Sequence, residues 1–215
     1  MRRLGLVISS SLLAGAAILV LVVSASAGTP SGGGHASCLP QGAHTLAGDN
    51  VAVVFSWHGS IYGCLAATGA RENLGGARVC NVPRGRVGPV KLVRAIVAYG
   101  LETCGVDTGS SDVVVRNLTT ARRLADPVAG TLPRGPESFV SVTSLALRGD
   151  GAVGWIARDD SLVGQRPTTY EVHSFTAGKA SLLDSGTSIA PGSLRLAGAR
   201  MTWRHGSATR SATLR

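Results

Sequence analysis

Residues 144–186 read SLALRGDGAVGWIARDDSLVGQRPTTYEVHSFTAGKASLLDSG, and the order of apolar and polar runs in this stretch decides the fold. Two short runs, SLAL and AVGWIA, flank Asp150-Gly151, a pair suited to a tight hairpin because both residues tolerate a left-handed backbone. The same turn chemistry accounts for Arg148-Gly149-Asp150, which also spells an adhesion tripeptide. A polar stretch leads to a third run, YEVHSF, and a turn to a short fourth, KASLL. Apolar positions recur at the spacing of strands, and helix-period stripes are nearly absent from the chain beyond its first residues. The stretch therefore predicts one antiparallel meander.

Three other segments follow the same order: residues 50–76, 90–126 and 193–214. LRGDGAVGW stands beside LRLAGARMTW, and TTYEVHSFTAGKASL beside SDVVVRNLTTARRL. In each copy the second strand is expected to end in an aromatic residue, Trp57, Tyr99, Trp155 or Trp203, at intervals of about 42, 56 and 48 residues. That interval is close to the period of a four-stranded propeller blade. One meander cannot bury both faces, so neighbours must stack, with the aromatic residue filling the gap between sheets. The expected fold is all-β: about four antiparallel meander repeats forming a small or partial β-propeller over residues 45–215, with a β-sandwich as the alternative.

With these repeats the chain resembles the WD40-like and TolB-like propellers of exported bacterial proteins, in particular partial propellers of actinobacterial type. The resemblance covers the chain from about Thr45, although the Trp-Asp dipeptide of WD40 repeats is missing. It implies a rigid binding or scaffold module.

The first residues, MRRLGLVISSSLLAGAAILVLVVSASAG, place two arginines before an apolar run that ends in Ala25-Ser26-Ala27. This is the order of a secretory signal peptide, assigned to residues 1–27; left uncleaved, the same run could anchor the chain in a membrane. Residues 28–44, containing TPSGGGHAS, read as a flexible leader. Export to an extracytoplasmic, envelope-associated location agrees with the four cysteines, Cys38, Cys64, Cys80 and Cys104. An even number in an exported chain favours two disulfides, and three connectivities are open.

The formal net charge is +9, nearly all of it arginine, and Arg195, Arg200, Arg204, Arg210 and Arg215 crowd the C-terminal end. Such a charge favours contact with anionic envelope components. The expected partner is an envelope protein or an anionic glycan. No nucleic-acid module signature or interleaved aromatic platform is present. Membrane contact is expected only through an uncleaved signal segment.

Two fragments point toward chemistry. VDTGSSDVVV, residues 106–115, and LLDSGTS, residues 182–188, look like the two loops that carry the aspartates of pepsin-like peptidases. Such a site needs paired carboxylates sharing one proton, held by equivalent positions of two lobes. Here Asp107 falls between a second and a third strand, whereas Asp184 falls in the connection after a fourth strand. Turn geometry explains both fragments without catalysis. Five scattered histidines show no metal-ligand spacing, and no serine-hydrolase elbow or phosphate loop occurs, so no cofactor or metal is expected. The sequence thus favours a non-catalytic binding or scaffold protein of the envelope. An aspartic peptidase using Asp107 and Asp184, or a purely structural envelope protein, are the alternatives.

Overall fold

The structure, a computed structural model, describes residues 38–77, 86–104, 109–131, 138–161 and 167–215. The signal segment, most of the leader, Cys80 and Asp107 lie outside the described residues. Among the described residues the protein is all-β, and every extended pairing but one is antiparallel.

Fifteen strands fall into four consecutive meanders. The first comprises β1 (His44–Gly48), β2 (Ala52–Trp57), β3 (Ser60–Leu65) and β4 (Arg71–Gly76). The second comprises β5 (Arg86–Val93), β6 (Ile96–Cys104), β7 (Gly109–Asn117) and β8 (Arg122–Ala125), and a single parallel bridge from Gly76 to Arg86 joins it to the first as one eight-stranded sheet. The third, β9 (Ser138–Leu147), β10 (Val153–Ser161), β11 (Thr169–Thr176) and β12 (Lys179–Gly186), forms a separate four-stranded sheet. The fourth has three strands: β13 (Arg195–Ala197), β14 (Arg200–His205) and β15 (Ala208–Thr213). Short polar turns reverse the chain within each meander. His58, Arg94, Ala121 and Ala177 take positive φ at several of them, and Asp49 and Asp150 accept hydrogen bonds from nearby backbone N–H groups.

Alternation along the central strands gives the first three meanders two buried faces and the fourth one, and three apolar clusters fill the gaps between successive meanders. Val54, Ile61 and Leu74 of the first meet Val97, Tyr99 and Val114 of the second. Val113 and Val115 of the second meet Leu145, Val153 and Trp155 of the third. Ile156 and Val172 of the third meet Met201, Trp203 and Leu214 of the fourth. In each gap the buried aromatic residue, Tyr99, Trp155 or Trp203, comes from the later meander.

A glycine recurs on the receiving side. A β-carbon on Gly63 would lie 2.7 Å from Leu118, one on Gly100 2.9 Å from Val142, and one on Gly154 2.1 Å from Met201. Each missing side chain lets the next meander press a bulky group against bare backbone. The Gly100 site is the least forgiving, because the intruding atom is the Cβ of Val142, fixed to the backbone. Gly100→Ala is expected to cost about 1–3 kcal/mol by overpacking. Combined with Val142→Gly, which removes the intruding Cβ, the two changes are expected to be non-additive; denaturant unfolding of the four-member cycle measures the coupling.

The two ends of the stack are finished differently. The outer face of the first meander, with Val53 and Phe55, is covered by the segment from Cys38 to Ala43, pinned by a Cys38–Cys64 disulfide. Residues 38–44, assigned above to a flexible leader on composition, thus belong to the domain. With this pairing fixed, a second disulfide within one chain, expected from the cysteine count, could only join Cys80 to Cys104. At the other end, the outer face of the fourth meander is polar and exposed.

Three further expectations change. Trp57 is only half-buried, its Nε1 donating to the Gln41 carbonyl at 3.2 Å, and the fully buried aromatic ring of that strand is Phe55. Trp57 packs beside the segment from Cys38 to Ala43. The strands carrying Tyr99 and Trp155 run on past those residues, because β6 and β10 pair with their neighbours over their whole lengths. Asp184 lies inside β12, opposite Val172, because a register shift at Val172/His173 lets the strand continue to Gly186.

Candidate functional site

The buried polar side chains locate where chemistry could occur: Glu102, Ser111, Glu171, His173, Ser174 and Asp184. A buried carboxylate must be hydrogen-bonded or charge-paired, so its partners reveal its task.

Asp184 is 7% exposed and saturated. Trp203 Nε1 donates to Oδ2 at 2.7 Å, Arg210 Nη1 donates to Oδ1 at 2.6 Å, and His205 Nδ1 lies 3.0 Å from Oδ2. All three partners come from the fourth meander, while Asp184 belongs to the third. Burial pushes its carboxyl up, but hydrogen bonds from Trp203 and His205 and attraction to His205 and Arg210 outweigh that, leaving it below the ordinary value. A shared-proton dyad needs carboxylates facing each other, with one of them raised. None of these partners of Asp184 is a carboxylate, and Asp107 is not among the described residues.

The same arrangement appears two meanders earlier. Glu72 on β4 pairs with Arg116 on β7, and both lie beside Tyr99 on β6. In both gaps an acid on the fourth strand meets an arginine on the third strand of the next meander, next to the second-strand aromatic residue. Repetition of this kind marks a joint between sheets.

The middle gap uses a variant. Glu171 Oε2 accepts from the Thr131 N–H at 2.8 Å, Oε1 accepts from the Thr131 hydroxyl at 2.9 Å, and His173 Nε2 lies 2.9 Å from Oε2. The His173 ring stacks on Trp155 with centroids 5.1 Å apart, and Trp155 Nε1 donates to the Ala129 carbonyl at 2.7 Å. Burial raises the Glu171 carboxyl, but its bonds to His173 and Thr131 hold it below the ordinary value. Asp159, two residue pairs further along β10 and β11, is pushed up by burial and by the charges of Glu171 and Asp160.

Carboxyls pushed apart in this way are the pattern of an acid and a base. A reaction also needs room for a substrate. The described cleft, about 340 Å³, lies elsewhere, lined by Leu124, Gly151, Phe175, Ala177 and Arg215 among others, and reaches neither Asp159 nor Glu171. Among the described residues no three His, Cys, Asp or Glu side chains gather to hold a metal. Asp184 and Glu72 each tie one meander to the next, Glu171 ties the third meander to the segment before it, and Glu102 pairs with Arg86 within the second.

What remains exposed is the outer face of the fourth sheet. Arg200, Thr202 and Arg204 alternate with the buried Met201 and Trp203 on β14; Arg195 stands opposite Thr202, and Ser211 and Thr209 stand opposite Thr202 and Arg204. Arg195, Arg200 and Arg204 are exposed, and no described carboxylate pairs with them. Residues 187–215 contain five arginines and no Asp or Glu. Arg210, on the inner face, is taken by Asp184.

The sequence reading named Asp184 but missed its partners; it weighed His173 only as a metal ligand and missed Glu171. The signal was there: YEVHSF places a glutamate and a histidine at i and i+2, on the face that carries Trp155 across the strand pair. The arginine face was equally legible in RMTWRH, where charge and bulk alternate. No protein-family model matches this chain, and no curated protein is similar to it at a significant level.

Proposed function

We propose that this is a non-catalytic binding or scaffold protein of an extracytoplasmic envelope, built as a partial propeller of WD40-like or TolB-like type. One observation carries the reading: Asp184 and Glu171 are engaged in the joints on either side of the third meander, while the last sheet offers solvent an exposed face charged with a single sign. Binding proteins of this architecture hold a rigid frame and recognise through exposed faces and rims. The partial-propeller form is supported by the first strands, since β1 lies near β5, β5 near β9 and β9 near β13, as blades do around an axis. The Cys38–Cys64 bond fits an oxidising compartment.

The test is cosedimentation of the mature protein with washed envelope fragments from a bacterial host. The protein is expected to pellet at low ionic strength and to be released at about 0.5 M salt, where exposed charges are screened. Protein that stays in the supernatant at low salt overturns the reading. So does cleavage of an unfolded protein at acid pH that Asp107→Asn abolishes.

A further inference from the structure

We infer that the outer face of the fourth sheet is a binding surface for an acidic polysaccharide, with Arg195, Arg200 and Arg204 as the charged contacts. The inference rests on the binding-protein reading and adds the ligand and the residues.

Charge is the first argument. Three exposed arginines share one face with no carboxylate on it, and Asp184, the acid bound to this sheet's inner face, is buried and neutralised by Arg210. Arg200 and Arg204 stand about 13 Å apart along β14, with Arg195 one strand away between them, so the charges run along a line longer than one sugar residue. A single small anion would engage one guanidinium. A linear polyanion engages all three.

The neighbours of the arginines decide what kind of polyanion. Thr202, Thr209 and Ser211 fill the positions between them, and Arg200 already donates to the Ser211 hydroxyl at 3.2 Å. No aromatic or large aliphatic side chain lies on this face. A specific protein interface needs a desolvated apolar or aromatic centre, and a membrane-inserting surface needs an apolar face; this sheet has neither. Single-stranded nucleic acid would want rings to stack on, also missing here. A hydroxyl-rich, anionic chain that makes wet, charge-assisted hydrogen bonds is the occupant whose chemistry matches. Each guanidinium is a planar fork suited to a sugar carboxylate.

The experiment measures binding of the mature protein to polygalacturonate, with neutral dextran, phosphatidylglycerol vesicles and single-stranded DNA in parallel. Two variants are compared with the wild type: R195Q/R200Q/R204Q, and a control of equal charge change elsewhere on the surface, R122Q/R123Q/K179Q. The first variant is expected to bind polygalacturonate at least about tenfold more weakly, with a shallower salt dependence, and the control to lose less than about threefold. Both should keep the wild-type unfolding midpoint, since the changed side chains are exposed. Equal losses in the two variants would reduce the effect to net charge and overturn the inference. Tighter binding to dextran, vesicles or DNA than to polygalacturonate also overturns it. If the wild type pellets with envelope fragments but the first variant does so equally well, the surface is wrong and the binding-protein reading stands. If the wild type pellets with no envelope fragment, that reading fails whatever polygalacturonate does.

Discussion

Replacing Asp184 with alanine is expected to destabilise the protein by about 3 kcal/mol, read as a lower denaturant midpoint. The loss has two sources. Trp203 Nε1–H, buried with its ring, would lose its acceptor and pay the cost of an unsatisfied donor, and the carboxylate that fixes His205 and Arg210 to the third meander would be gone. Arg210 is half-exposed and can turn to water, so its share is small. Asp184→Asn is expected to cost less, because one amide oxygen can still accept from Trp203. The two variants should also flatten the acid limb of the stability curve. A folded-state carboxyl held below its unfolded value contributes stability that is complete above the unfolded value, near pH 4, and is lost as pH falls through the folded one. Wild-type stability should therefore drop on acidification below about pH 4 more steeply than that of Asp184→Asn. Identical acid limbs would mean that the ties seen around Asp184 carry no energy.

The second large effect is at the other end of the stack. Cys38→Ser with Cys64→Ser, or reduction of the bond, is expected to cost about 3.5 kcal/mol, the chain-entropy value for a crosslink closing a loop of this size. The two cysteines are 26 residues apart and both fully buried. The loss should be local in its consequences. Without the bond the segment from Cys38 to Ala43 no longer holds over Val53 and Phe55, so amide exchange should speed up in β1, β2 and β3. Strands of the fourth meander, on a different cluster, should keep their protection at partial denaturation. Exchange that accelerates equally everywhere would show that the whole domain unfolds as one unit and that the segment is no cap.

Much of this architecture was legible because strands announce themselves by alternation and turns by Asp, Gly and Asn. Asp150-Gly151 fixed a hairpin and YEVHSF a third strand; both stand as read. What escaped was the role of each aromatic ring relative to its sheet. Trp57 and Trp203 look alike in sequence, yet only Trp203 meets a preceding sheet, and that depends on chain order across the whole domain. The aspartate in DSGT looked like a loop residue because Gly and Ser surround it; pairing with β11 past a bulge carried it into the strand instead. Its true partners, Trp203, His205 and Arg210, lie 19 to 26 positions further on and no local pattern links them. The glycines at 63, 100 and 154 carry no local signal of their role, since the intruding side chain belongs to another meander.

Those glycines and the side chains opposite them give the domain a direction. At Gly63, Gly100 and Gly154 the earlier meander supplies a socket and the later one a plug. Synthesis delivers the N-terminal end first. Each socket is therefore complete before its plug emerges, and a newly made meander always finds a finished surface waiting behind it.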